Sequence, residues 1–289
     1  MPEKLIIGGA GFVGSTLVND LGWPAPTHRT LDITDLASIK SHIKSGMVVV
    51  NCAGFTNVKA ATIDPNGPAW KLNVEGTRNL AQVCKEVGAY LIHLSTDGVF
   101  PTTDNSKGPH TEVEKINDDP NFVSAYGYTK LRGEKEVIES GAKAAVLRIA
   151  YPFGNTECPD KDYIIKIIKS IKLGYGLFSD QQFTPTYITS LPKVIEMLSN
   201  IQLMGVFHWV CKGLTTPYEI GIYVNKKLGL GLEVREGSLA EFEKIKGKQP
   251  YAKFGGLSTK LTERELGLKP PSWQEAIDDF IYMKLRGLV

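Results

Sequence analysis

Tyr126 and Lys130 stand four residues apart in Tyr126-Gly127-Tyr128-Thr129-Lys130, a spacing that puts both side chains on one face of a helix. A free phenol titrates near pH 10, and a neighbouring ammonium stabilises the phenolate and draws it toward the working range of a general acid or base. The same lysine can hydrogen-bond a ribose. The bland alternative is a surface ion-dipole pair, since Tyr-x-x-x-Lys is a common spacing. Two further segments favour chemistry: Ser95-Thr96-Asp97 closes an apolar run, and Asn51-Cys52-Ala53-Gly54 closes another. Hydroxyls and small residues at strand ends suit the C-terminal edge of an open sheet, where ligands bind.

A third element lies upstream. Gly8-Gly9-Ala10-Gly11-Phe12-Val13-Gly14 follows the first apolar run and leads into a helical pattern over 15–21. Glycines there allow a tight turn, close approach of a pyrophosphate to bare amides at a helix N-terminus, and tight packing of helix on strand. An acidic residue about 20 positions further on usually holds the adenosine ribose. This chain instead reads Ala25-Pro26-Thr27-His28-Arg29-Thr30. With no carboxylate to repel a 2′-phosphate and Arg29 and His28 able to pair with one, NADP(H) is favoured and NAD(H) is the second choice. Asp32, with Ile33 beside it, is assigned to the adenine edge, while Thr34 or Asp35 caps the next helix.

These residues need a scaffold. The 289 residues, 42% hydrophobic and 22% charged, suffice for one large domain or a domain with a second lobe. A net charge of +2 gives no reason to expect nucleic acid or an anionic membrane. Cys52, Cys84, Cys158 and Cys211 form no C-x-x-C pair, so a zinc ribbon or disulfide framework is not expected and no metal is assigned. No apolar run reaches membrane length and the N-terminus does not read as a signal peptide, so a reducing cytoplasm is the expected setting. Strands are expected at 5–7, 48–51, 90–94, 145–150 and 206–210, alternating with helical patterns that stop before Gly46, Gly88 and Gly141. This is βαβ logic: an α/β, Rossmann-type doubly wound parallel sheet. Further helices are expected over 163–173, with Lys166, Lys169 and Lys172 in water, and after Ser272, whose capping box with Glu275 precedes a core Trp273. Pro101 to Phe122 has no periodicity and reads as a functional flap or mobile segment.

Assembled, the chain resembles the extended short-chain dehydrogenase/reductases, and within them the dTDP-4-dehydrorhamnose reductase family. The resemblance runs nearly end to end through GGAGFVG, LDITD, VVVNCAGFTNV, LNVEGTRNLA, LIHLSTD, YGYTKLRGE, VLRIAYPFG, DQQFTPTY, GVFHWV and LST…LGLKPPSWQEAI. It implies a dinucleotide-binding domain over 1–150 and a smaller substrate lobe over 151–289, with the chain crossing back around 186–211. It implies a catalytic triad of Thr96, Tyr126 and Lys130. The cofactor set would be Gly8, Gly11, Phe12, Val13, Gly14, Arg29, Asp32, Ile33, Cys52, Ala53, Gly54, Tyr126, Lys130 and Asn73, the last supporting a water network. Thr96, Asp97, Pro185, Thr186 and Lys253 would meet the substrate.

The activity implied is NADP(H)-dependent reduction of a 4-keto sugar nucleotide, with a homodimer compatible. Alternatives are another extended dehydrogenase or epimerase, or a non-catalytic NADP-binding regulatory subunit like the methionine adenosyltransferase β-subunit. A dehydratase is disfavoured by Asp97-Gly98, where those enzymes carry Asp-Glu. The chain departs from the family at Gly98, where Tyr is usual, and in 249–256, which lacks arginines and leaves only Lys253 to face a diphosphate.

Overall fold

The computed structural model describes residues 2–247, 249 and 251–285. Pro250, within the arginine-free segment, and 286–289, within the expected substrate lobe, lie outside the described residues. Strand β1 (Lys4–Ile7) is followed by helices α1 (Phe12–Leu21) and α2 (Leu36–His42), and then by β2 (Val48–Asn51). Helix α3 (Val58–Ile63), the single turn α4 (Pro68–Trp70), a π-helical turn (Lys71–Gly76) and α5 (Thr77–Val87) lead to β3 (Tyr90–Thr96). Helix α6 (Ala125–Ser140) then leads to β4 (Ala144–Ile149). Their glycine stops work as left-handed caps: Gly88 and Gly141 have φ of 68° and 74°.

The chain next builds β5 (Pro152–Phe153), α7 (Tyr163–Lys172), β6 (Leu177–Phe178) and β7 (Thr186–Tyr187). Helix α8 (Leu191–Ile201) and β8 (Gly205–His208) follow, then α9 (Pro217–Leu228), β9 (Glu236–Gly237), α10 (Leu239–Lys246), α11 (Lys260–Leu266) and α12 (Trp273–Phe280).

The main sheet is parallel throughout, in the order β1-β2-β3-β4-β8. Its strands are buried on both faces, which is why they read as continuous apolar runs. One face carries α1 and α8, with Leu17, Leu191, Val194 and Leu198 packed on Ile6, Val48, Val50 and Ile92. The other carries α2, α5 and α6, with Ile39, Leu80, Val83 and Val137 on Leu5, Ile7, Val49 and Leu91. Burying one such side chain is worth roughly 1.5–3 kcal/mol, so the two layers hold the sheet edge rigid beneath the site.

From α1 the chain passes the outer side of β1, where Ile6 N donates to Pro24 O at 2.8 Å, and then returns to place β2 on the inner side. The connections diverge from β1, opening a crevice at its C-terminal end. No strand forms outside β1 among the described residues, because Pro24 and Pro26 lack the amides a ladder needs.

A second core gathers α7, α9 and α12 around Phe153, Ile167, Phe183, Ile220 and Phe280. The stretch expected to be a flap is a docked strap. Gly108 N donates to Phe254 O, His110 N to Gly256 O and Ser258 N to His110 O, while Phe100 stacks on His110 at 4.0 Å. Glu112 accepts from Thr262 N and Oγ1 at 3.3 and 3.2 Å.

Candidate active site

The site is assembled where α6 meets the end of β3. Ser124 caps α6 by accepting from Gly127 N at 3.0 Å. A Cβ at Gly127 would stand 2.0 Å from Gly98 O, so glycine is required for the first turn of α6 to touch the turn after β3. That contact brings the half-buried Tyr126 to Thr96. The Thr96 hydroxyl donates to Asp97 Oδ1 at 3.0 Å, accepts from Gly98 N at 3.1 Å and lies within hydrogen-bond reach of the Tyr126 phenol.

Burial pushes the Asp97 carboxyl up to about 6, against the bonds from Thr96 and the 97–98 backbone. Burial, with the Asp97 charge second, holds the Tyr126 phenol well above its ordinary value. Lys130 does not offset this. Its Nζ donates to Leu94 O at 2.7 Å and lies 3.2 Å from His93 Nε2. The sequence assigned Lys130 to lowering the phenol, but the lysine is drawn beneath the strand by a carbonyl, and Tyr126 stays in its acid form.

The glycine turn fits a phosphate-bearing cofactor. Gly8 has φ of 79°, and a Cβ there would stand 2.6 Å from Ala53 N; one on Gly14 would stand 2.2 Å from Gly8 O. Helix α1 begins at Phe12, three residues earlier than its pattern suggested. Its N-cap Gly11 provides no side-chain bond, leaving the first-turn amides at Phe12 and Val13 without a side-chain cap. Cys52 and Ala53 flank the turn half-buried, and burial raises the Cys52 thiol to about 12, too high for a thiolate role.

Arg29 is exposed in a turn over 28–30 and has no carboxylate partner among the described residues. Asp32 Oδ1 accepts from Thr34 N and Oγ1, both at 2.8 Å, and the backbone bond holds its carboxyl below the usual range. It is an Asx-turn residue with one oxygen left for a ligand.

Other expected site residues lie elsewhere. Ile33 is 2% exposed and packs beneath Gly76 in the core, so its side chain cannot meet adenine. Asn73 spends its amide on Phe55 N and O and on Thr129 Oγ1, at 2.8, 3.0 and 2.9 Å. It supports the turn containing Gly54 from behind rather than lining the crevice. Pro185 and Thr186 are buried: Pro185 O accepts from Cys211 N, while Thr186 Oγ1 accepts from Ala150 N at 2.9 Å and donates to Trp209 O at 3.2 Å. They lock β7 to the ends of β4 and β8 and offer no side-chain group to a substrate.

Lys253 is half-buried with its Nζ 5.4 Å from the Phe254 ring centre, and Lys107 of the strap approaches the same ring at 5.6 Å. Lys107 was not foreseen. A Cβ at Gly98 would make ordinary van der Waals contact, with Thr96 Cγ2 nearest at 3.5 Å. Tyr151 was also missed. It has φ of 42°, a strained value for a non-glycine residue, and its hydroxyl accepts from Gln181 Nε2 at 2.9 Å. Burial raises its phenol, with the Asp97 charge second.

The family model described as the RmlD substrate binding domain matches residues 3–285. The chain is 30% identical to the dTDP-4-dehydrorhamnose reductase of Mycobacterium tuberculosis, over 95% of this chain and 91% of that protein. It is 28% identical to the methionine adenosyltransferase 2 subunit beta of Rattus norvegicus, over 75% of this chain and 69% of that one. Among solved structures, a dTDP-4-dehydrorhamnose reductase from Clostridium acetobutylicum superposes with a TM-score of 0.84 at 27% identity, covering 97% of this chain and 98% of that chain.

Proposed function

The chain belongs to the RmlD substrate binding domain family, and from that premise we propose that it is an NADP(H)-dependent reductase of a 4-keto sugar nucleotide. The observation that carries the reading is the meeting of Tyr126, Thr96 and Asp97 at the sheet edge, beside a turn stripped of side chains for a phosphate. Residues 1–150 serve as the dinucleotide-binding domain and 151–289 as the substrate lobe, with 186–211 crossing back. The cytoplasm is the expected setting and a homodimer the compatible assembly.

Cys52 and Ala53 would lie under a bound nicotinamide, whose chemistry would be hydride donation for reduction of the keto carbon. Tyr126, kept as a phenol, delivers a proton to the developing alkoxide, and Thr96 places the phenol and the keto oxygen together. Lys130, whose Nζ donates to Leu94 O at 2.7 Å, would hold the nicotinamide ribose. Gly8, Gly11, Gly14 and the amides of Phe12 and Val13 would hold the pyrophosphate, and Arg29 would pair with the 2′-phosphate. Holding both reactants in one cleft contributes much of the rate.

The test is oxidation of NADPH by the purified protein over a panel of 4-keto sugar nucleotides, with Tyr126→Phe alongside. Turnover that falls by roughly 100-fold in the variant, at unchanged NADPH affinity, is the expected result. NADPH binding without consumption of any such sugar favours the regulatory-subunit reading, which the similarity to the methionine adenosyltransferase subunit and the arginine-free 249–256 segment support.

A further inference from the structure

The face of α6 that carries Tyr126 and Lys130 continues to Glu134, since the three stand four residues apart in turn. Glu134 is 1% exposed and Arg148, on β4, is 4% exposed. Arg148 Nε and Nη2 donate to the two Glu134 oxygens at 2.9 and 2.6 Å, a forked pair that fixes angle as well as distance. Arg148 is also the register partner of Ser95 on β3 and of His208 on β8, so the pair ties α6 to the interior of the sheet. Its third nitrogen, Nη1, lies 3.3 Å from His208 Nε2, and His208 Nδ1 lies 3.0 Å from Ser258 O. A carbonyl only accepts and a guanidinium only donates, so Nδ1 carries the His208 proton and Nε2 accepts from Arg148. Burial, with the Arg148 charge second, lowers His208 to about 3, in agreement with a neutral ring. Phe100 covers the guanidinium, with its ring centre 5.2 Å away. One buried side chain thus braces α6 against the segment that leads into α11.

We propose that Arg148 is a positioning residue for the reaction: by gripping Glu134 it sets how far α6 is turned about its axis, and so where the Tyr126 hydroxyl meets Thr96. The inference rests on the reductase reading for the role of Tyr126. Lys130 and Glu134 both bond this face to the sheet, Lys130 through Leu94 O at 2.7 Å. Lys130 is assigned to a ribose, which leaves Glu134 as the anchor with no ligand to serve. The helix also lies hard against backbone at two glycines, since a Cβ on Gly127 would stand 2.0 Å from Gly98 O and one on Gly133 2.3 Å from Asn73 O. At so close an approach a small turn of α6 moves the phenol, and a misplacement of about 1 Å at a reacting group costs up to about 100-fold in rate.

The test separates position from stability. Glu134→Met or Arg148→Met alone leaves a buried charge unpaired and should melt well below the wild type, whereas the double variant replaces the pair with apolar chains of similar length and should melt within about 5 °C of it. Two readouts are taken on the double variant. The ζ-carbon shift of Tyr126 in tyrosine-labelled protein, assigned with Tyr126→Phe and measured without cofactor, reports the bond to Thr96; steady-state kinetics report turnover. The Tyr126 signal is expected to move and the turnover number to fall about tenfold, with the Michaelis constant and NADPH affinity within about twofold. A Tyr126 signal and a turnover number that both return to wild-type values with the stability would make the pair purely structural and overturn the proposal. If the double variant does not fold, Arg148→Lys, which keeps the charge and loses the fork, is read in the same way. Two-bond proton–nitrogen correlations on the wild type give the His208 tautomer, and an Nε2–H ring there would also overturn the bracing. A protein that consumes no sugar nucleotide would count against the reductase reading alone, since the Tyr126 signal still shows whether Arg148 sets α6.

Discussion

The Thr96 hydroxyl gives its only proton to the Asp97 carboxylate, at 3.0 Å, so toward Tyr126 it can act only as an acceptor. The phenol is thereby held as a donor. The order Tyr126 to Thr96 to Asp97 gives all three groups compatible roles and keeps the reacting proton on Tyr126.

This arrangement has a cost visible in stability. Asp97 is raised from 3.8 to about 6 by burial, so the native state binds its proton more tightly than the unfolded chain. Its contribution to stability is therefore lost as pH rises from about 4 through about 6, and stays lost above. Asp97→Asn removes the charge, so the variant should melt above the wild type by about 2–4 °C near pH 8 and match it near pH 4. Thermal melts at both values check this; an equal difference at both would assign the effect to packing.

Arg29 is exposed and without a carboxylate partner among the described residues, as a residue reserved for a 2′-phosphate would be. Arg29→Ala should weaken NADPH about tenfold and change NADH by less than about twofold, and added salt should narrow the gap in the wild type. Fluorescence titration with both cofactors measures it. Equal losses for the two would remove Arg29 from phosphate recognition.

The strands of the main sheet were legible because each is a continuous apolar run, and α6 because Ser124 and Gly141 mark its ends. Partners across the sheet were not. Asn51 and His93 read as strand residues, and only the parallel register, which pairs them across 42 positions of sequence, shows that they share a row with Lys130. Thr216 with Glu219 is a capping box for α9 that the sequence did contain, with Pro217 at the first helical position. Ile33 and Thr186 were assigned to ligands because they sit inside recognisable motifs, whereas burial gives one to the core and the other to backbone locking.

Thr186 offers a check on that reassignment. Valine keeps its shape but leaves Ala150 N and Trp209 O without their partner in a dry setting. Thr186→Val should lose about 1–3 kcal/mol of stability while the Michaelis constant of the working enzyme changes by less than about twofold. Denaturant unfolding and steady-state kinetics together decide: a stable variant with a raised Michaelis constant would return Thr186 to the substrate.

The arginine-free 249–256 segment leads to the last expectation. Lys253 and Lys107 both rest by the Phe254 ring, at 5.4 and 5.6 Å, and neither has a carboxylate partner among the described residues. Lysines act as point charges on phosphate and lack the fork of arginine, so two of them near one ring supply attraction with little orientation. Their loss should therefore weaken binding without disturbing the chemistry at Tyr126. The double variant Lys107→Met, Lys253→Met should raise the Michaelis constant for a sugar nucleotide about tenfold and leave the turnover number within about twofold. Added salt should raise the wild-type constant more than that of the variant, because the contacts removed are ionic. A Michaelis constant unmoved in both comparisons would mean that the diphosphate lies elsewhere, or that the substrate carries no charge at this end of the cleft.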